Sequence, residues 1–398
     1  NKKYKHFSIE DIDNIKPPVN RLVSLLKGSG LEINYSNINE LIEKYNIEYE
    51  NVDLSDILSL CKDVMEINRD ILNNTWDRID FDDQIWLPLE LDISAEKAGY
   101  QFDFVFIDET QDLNMAKIEL AIKMCKPTGS IIAVGDRYQS IYGFTGADSE
   151  AIPKIINRLN AKVFPLSICY RCPKEHVKLA QQFVPHIEYA TIENAGYEAI
   201  EGSIEDIGLE KLIKEANDGD KVICRNSAPL VHPCFELIRH GKKATILGKD
   251  IGKQLENLMI KIKGKTLQDF LNRLERWKEK QVEKLESKKL SIDRIMDQYE
   301  TLKVLSEDCD EIEEVLVKIK AIFSDNDKEG VVFSTIHKAK GLEVETKDNS
   351  VYVIMSYNGK SLMPSPWAKK PWEFEQERNL QYVAYTRGKN KMYLVDKV

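Results

Sequence analysis

Long apolar runs are missing from this chain. None approaches the roughly 18 consecutive residues needed to cross a bilayer, and the basic start NKKYKH leads into SIEDID rather than an apolar core. Neither a membrane span nor a signal peptide is expected. Cysteine is scarce, with 7 in 398 residues; an odd number scattered over a long chain is not the framework of a small secreted protein, and points to a reducing cytosol. An excess of positive charge is also lacking. Against 56 Lys and Arg stand 66 Asp and Glu, a formal charge of -10, which excludes a histone-like coat on nucleic acid and leaves room for a local basic or aromatic groove. Internal repeats and low-complexity tracts are absent, so collagen-like and largely disordered chains are excluded. Methionine is missing from position 1, where Asn1 stands, so the sequence is expected to be part of a longer product.

What is present is 42% hydrophobic and 31% charged, enough for packed cores under a soluble surface, and a length that accommodates roughly two to four domains. Residues 1–78 read as mostly helical, with Leu22, Val23, Leu25 and Leu26 at turn spacing after a start at Pro17-Pro18. From Phe102 the texture changes. FVFID (104–108) and SIIAVGD (130–136) flank the helical stretch MAKIELAIKMCK, the order of a parallel βαβ unit. A second set of strand-like runs follows: AKVFPLSI (161–168), KVICR (221–225), KATIL (243–247), GVVFSTI (330–336), VYVIM (351–355) and KMYLV (391–395). Two α/β sheets fit better than one. The second set is interrupted over 252–327 by a charged helical insertion. There Leu267, Phe270, Leu271, Leu274 and Trp277 recur at helical spacing, as do Ile292, Ile295, Met296, Tyr299 and Leu302. The stripe reads as helices packed on each other, with a protein partner as the other reading, because the heptads are too short for a coiled coil.

The strongest chemical signal is FDFVFIDETQD. An apolar strand ending in Asp108-Glu109 places two carboxylates beyond the carboxyl edge of a parallel sheet, where open α/β folds bind ligands. One carboxylate there holds Mg2+ while its neighbour orients or deprotonates a water; the bland rival is acidic residues placed after a strand for solubility. The next run adds a Gly135-Asp136 turn, then Gln139, suited to sensing a terminal phosphate, then Tyr142 and Phe144. These aromatics either stack on bases or belong to a loop core. The pair Cys169-x-x-Cys172 invites a redox or zinc reading. No second pair sits at ligand spacing, so it reads as coincidence. Gly264-Lys265-Thr266 is not a phosphate loop, because Met259 stands where the pattern needs glycine.

DETQD followed by VGDRYQSIYGFTGAD resembles the second and third motifs of UvrD/Rep-like superfamily 1 DNA helicases. LSICYRCPKEHV looks like the fourth motif, VICRNSAPL like the strand motif after it, STIHKAKGLEVE like the fifth and QERNLQYVAYTRGKNKMYLV like the sixth; IDFDDQIWLP (79–88) resembles the stretch before the second. The likeness covers about Ile79 to Val398. It implies two RecA-like parallel-sheet domains, the first incomplete, built from 79–160 and from 161–251 with 328–398. It implies ATP and Mg2+ as cofactors, single-stranded or partly duplex DNA as partner, a cytoplasmic location, and an ATP-dependent translocase or helicase. By implication Asp108 coordinates Mg2+, Glu109 activates the hydrolytic water and Gln139 contacts the γ-phosphate. Tyr170 stacks on adenine, Arg171 and Arg387 reach the γ-phosphate, Gly341 and Glu343 line the ribose, and Tyr142, Phe144 and His337 contact DNA. The chain departs from the pattern at Thr145, usually arginine, at Cys169, often asparagine, and at Gly388, usually alanine. The glycine-rich first motif is absent here and is expected upstream; the alternative is a truncated homologue that binds nucleic acid without hydrolysing ATP.

Overall fold

The computed structural model describes residues 7–45, 47, 49, 52–70, 79–143, 150–287, 291–324, 329–342, 344, 346–396 and 398. The chain divides into two compact units, residues 1–164 and 165–398. Among the described residues, no helix is long and apolar enough to cross a membrane.

The first unit opens with α1 (Ile9–Ser29), α2 (Tyr35–Tyr45), α3 (Leu54–Arg69) and α4 (Phe81–Glu90). Helix α1 runs through Pro17 and Pro18 rather than starting there. Ile15 before the prolines and Val19 after them are both buried in one core, and that shared burial carries the helix across the lost amide hydrogen bonds. The same core takes Leu22 and Leu26, Ile38 and Leu41 of α2, Ile57 and Cys61 of α3, and Trp86 of α4. Next come β1 (Phe102–Ile107), α5 (Met115–Lys123), β2 (Cys125–Ala133) and α6 (Ala151–Leu159). Strand β1 pairs parallel with β2, bringing Ile107 opposite Ala133. One face of this pair is covered: Ile107 packs with Ile118, Ala151 and Ile155. Phe102, Phe104, Phe106 and Ile132 are exposed.

The second unit holds a short parallel pair, β3 (Ile168–Cys169) with β4 (Glu188–Tyr189), and between them α7 (Lys174–Ala180). The expected strand 161–168 is thus reduced to its last residue. Pro165 cannot donate a ladder bond, and Val163, Phe164 and Leu166 are exposed. After α8 (Ile192–Ala195) the main sheet forms from β5 (Ser203–Gly208), β6 (Lys221–Cys224), β7 (Ala244–Ile246), β8 (Val331–Thr335), β9 (Ser350–Ile354) and β12 (Lys391–Asp396). Their spatial order is β5-β12-β9-β6-β8-β7, and every pairing is parallel. A small antiparallel hairpin, β10 (Ser356–Tyr357) with β11 (Lys360–Ser361), precedes β12. The connecting helices are α9 (Leu209–Glu215), α10 (Ala228–Arg239), α15 (Ile336–Ala339) and α16 (Pro371–Tyr385). Strands β8 and β9 are buried along their whole length, the mark of a parallel sheet covered on both faces.

The insertion consists of α11 (Lys249–Ile262), α12 (Leu267–Ser287), α13 (Asp293–Ser306) and α14 (Ile312–Ile322). Phe270, Leu274 and Leu302 of its apolar stripe share one core with Val222, Phe333 and Ile354 of the sheet, so the stripe is spent inside this unit. Gly264 lies in the α11–α12 connection, its Cα beside Phe270, and follows no strand.

Candidate functional site

In the first unit the chain turns sharply where β1 ends. Asp108 and Glu109 are both exposed, and Glu109 takes a left-handed backbone with φ +48°, an uncommon conformation for a residue with a side chain. Three bonds hold the turn: the Glu109 amide donates to Asp108 Oδ1 at 2.9 Å, and the Thr110 amide and hydroxyl both donate to the Val134 carbonyl, at 3.0 and 2.8 Å. The turn at the end of β1 is thereby stitched to the loop after β2.

Gln111, buried, completes the stitching. Its Nε2 donates to the Glu109 carboxylate, and its Oε1 accepts from the Asp136 amide at 2.9 Å. Gly135 leaves room for it, since a methyl group there would stand 2.5 Å from Gln111 Oε1. Asp136 in turn accepts from the Tyr138 amide and from Gln139 Nε2, both at 2.9 Å. Tyr142 is half-buried; burial, and after it the negative charges of Asp112 and Glu109, push its hydroxyl above the usual range. Two segments about 30 residues apart in sequence, Asp108 with Glu109 and Gln139 with Tyr142, therefore meet at one corner. Gln111 and Asp136 were not singled out as site residues. The signal for them was present in DETQD and in the Gly-Asp turn, but a bridge between two loops is a tertiary fact. Phe144 and Thr145 lie outside the described residues.

In the second unit Tyr170 follows β3 and is 60% exposed. Its ring stacks on Tyr197, centroids 6.0 Å apart and planes inclined by 22°, and the Tyr197 hydroxyl donates to the Tyr170 carbonyl at 2.8 Å. Tyr197 was missed because it lies in a glycine-flanked turn with no periodic pattern around it. Arg171 is exposed. Arg387 is not: it is 3% exposed, and its Nε donates to the Val383 carbonyl at 2.9 Å and its Nη2 to Thr386 Oγ1 at 3.1 Å. The side chain is turned inward here, onto its own helix. As it stands, the guanidinium closes the end of α16. Cys172 lies within electrostatic reach of both arginines, so Arg171 and Arg387 do converge on one neighbourhood.

Along the carboxyl edge of the main sheet, Arg225 follows β6, with its Nε 2.9 Å from Glu377 Oε1 and its Nη2 2.6 Å from Asp293 Oδ2. His337, on α15 just after β8, is half-buried. Burial, with the nearby Arg225 charge as a lesser cause, pushes its imidazole down to about 3, so it is neutral at physiological pH. It therefore brings no positive charge to a phosphate. Gly341 has φ +82° with open space around it; Glu343 lies outside the described residues. A polar cavity of about 300 Å³ between Lys214, Asp220, Ser350 and Lys391 opens at the opposite, amino edge of the strands, away from these residues.

Among the described residues no group of three or more His, Cys, Asp or Glu is placed to hold a metal ion.

A family model described as the UvrD/REP helicase N-terminal domain matches residues 12–160, and one for the viral superfamily 1 RNA helicase core domain matches 92–269. The ATP-dependent DNA helicase PcrA of Leuconostoc citreum is 33% identical over 113 residues, 27% of this chain and 15% of that protein. Its namesake in Bacillus subtilis strain 168 is 32% identical over 111 residues, again 27% and 15%. DNA helicase II of Haemophilus influenzae is 31% identical over 84 residues, 21% of this chain and 12% of that protein. The matched part thus spans about 15% of the length of the PcrA relatives.

Proposed function

We propose that this chain, similar in sequence to the UvrD-like superfamily 1 helicases and α/β in fold, forms part of an ATP-driven motor that moves along single-stranded DNA. The observation that carries the reading is the Gln111 bridge. It joins the Glu109 carboxylate to the loop that presents Gln139 and Tyr142, so a change at the carboxylate is felt in the loop through two hydrogen bonds.

In this reading Asp108, an exposed hard-oxygen donor, would hold Mg2+, which would neutralise the phosphate charge of the nucleotide substrate. Glu109 accepts a proton from the attacking water, its carboxylate aimed by Gln111 and by the left-handed backbone. Gln139, held by Asp136, reports on the terminal phosphate. Tyr170, backed by Tyr197, offers a flat face for adenine. Arg171 supplies positive charge, and Arg387 adds its own once it leaves the α16 carbonyl. Tyr142 offers an aromatic face to a base, worth about 1 to 3 kcal/mol, and His337 contributes as a neutral hydrogen-bonding group.

The test is Glu109→Gln in the full gene product. Hydrolysis of ATP stimulated by single-stranded DNA should fall by at least about 100-fold, the usual contribution of a general base, while nucleotide binding persists. Undiminished turnover overturns the assignment.

A further inference from the structure

The cysteine pair that reads as coincidence in sequence is a pair in space. Cys169 ends β3, half-buried, and Cys172 begins the turn into α7, 2% exposed. The Cys172 amide donates to Cys169 Sγ at 3.5 Å, and Cys172 Sγ stands 3.5 Å from the Thr386 carbonyl, which competes with Cys169 for the one thiol proton. The thiol hydrogen bond from Cys172 is the main cause that brings Cys169 down to about 6, with the neighbouring Arg171 charge as a smaller one; Cys172 is pushed up by the same bond. Buried Cys61, Cys224 and Cys234 are pushed the other way, to about 12. With no third ligand in reach among the described residues, the pair does not form a zinc site.

We propose that Cys169 and Cys172 form a thiol–disulfide exchange site whose substrate is a low-molecular-weight disulfide. Cys169, the sulfur nearer solvent, gives its proton to water and as the thiolate attacks one sulfur of the small disulfide. A mixed disulfide forms, the small S–S bond breaks, and one small thiolate leaves. Cys172 then gives its proton to that thiolate and attacks Cys169 Sγ, expelling the second small thiolate, which takes a proton from water. The two protein thiols are oxidised by two electrons and the small disulfide is reduced to two thiols. Closing the ring locks Tyr170 and Arg171 between the two sulfurs and removes the Cys172 bond to Thr386, the residue before Arg387. The chemistry is read at sulfur, so it stands or falls independently of nucleotide turnover.

The sequence provides its own readout. Trypsin cuts after Lys162, Arg171 and Lys174, which separates Cys169 from Cys172 unless a disulfide joins the pieces. The reduced 398-residue chain is treated with oxidised glutathione at pH 6, digested and mapped by mass. We expect peptides 163–171 and 172–174 to remain linked, two hydrogens lighter, and to part on reduction. Cys169 should react about 10-fold faster than the partly exposed Cys125 and Cys309, the gain in thiolate fraction less the loss of nucleophilicity. Cys172→Ser should stop at one glutathionyl group on Cys169, Cys169→Ser should give neither product, and unfolding in urea should erase the preference. A wild-type chain that stops at the mixed adduct, or a Cys169 no faster than Cys125, overturns the proposal.

Discussion

At the scale of single residues, one departure from the UvrD-like pattern has a local cause. Gly388 stands where the UvrD-like pattern usually has alanine, and its φ is not among the positive ones, so the demand is for space. A methyl at 388 would stand 2.7 Å from Cε1 of His176, a buried imidazole whose Nε2 lies 3.2 Å from the Ser203 carbonyl. Gly388→Ala should therefore destabilise the fold by about 1 to 3 kcal/mol through overpacking. In a His176→Ala background the same change should cost little, a coupling of at least about 0.5 kcal/mol in a urea-denaturation double-mutant cycle. Additive costs would disprove the steric account. Gln111 shows another kind of constraint. Its amide has one donating and one accepting end, each used, so glutamate would set carboxylate against carboxylate at Glu109 although it matches in length.

At the scale of elements, a buried ion pair joins α1 to α4. Lys27 is 1% exposed, with its Nζ 2.7 Å from Asp83 Oδ1 and 2.9 Å from Asp80 Oδ2, and it lies over the Trp86 ring. Asp80 and Asp83 also form the capping box that starts α4. Lys27→Met strands a buried carboxylate, an expected loss of about 3 to 5 kcal/mol. Arg69→Met, which breaks a more exposed pair with Glu90, should cost under about 1 kcal/mol. Urea midpoints of the two variants test the contrast, and equal losses would refute it. Elements were legible where burial is two-sided: β6, β8, β9 and β12 announce themselves as apolar runs. Strand β5 is not legible because SIEDIG, on a sheet edge, sets two adjacent acids between its isoleucines and shows neither an apolar run nor a period of two, and 161–167 is over-read because an apolar run says nothing about whether a neighbouring strand exists to pair with it. Pro17-Pro18 misled for the opposite reason, local propensity yielding to tertiary burial.

At the scale of the whole molecule, the candidate site was half legible. Asp108, Glu109, Gln139, Tyr170 and Arg171 come from motif strings that sit at strand ends, which is where a parallel sheet exposes polar groups. The bridge through Gln111, the Tyr197 platform and the inward turn of Arg387 depend on side chains meeting across loops, which no string records. Two imidazoles also give the fold a pH signature. His337 and His176 are both held below their ordinary value by burial, so the folded state resists a proton that the unfolded chain accepts. Their contribution is intact above about pH 6.5 and is lost as pH falls, for His337 until about 3, at no more than about 1.4 kcal/mol per pH unit for each group. His337→Gln should flatten that part of the acid limb in chemical denaturation; an unchanged slope would contradict it. The insertion has a last consequence, for cooperativity. Helices α11 to α14 supply the same apolar core as the main sheet, and Arg225 and the Ser227 and Ala228 amides tie the end of β6 to Asp293 and Asp297 of α13. Where α11 to α14 meet the sheet, the insertion is therefore no independent foldon: opening it there opens the core of the sheet.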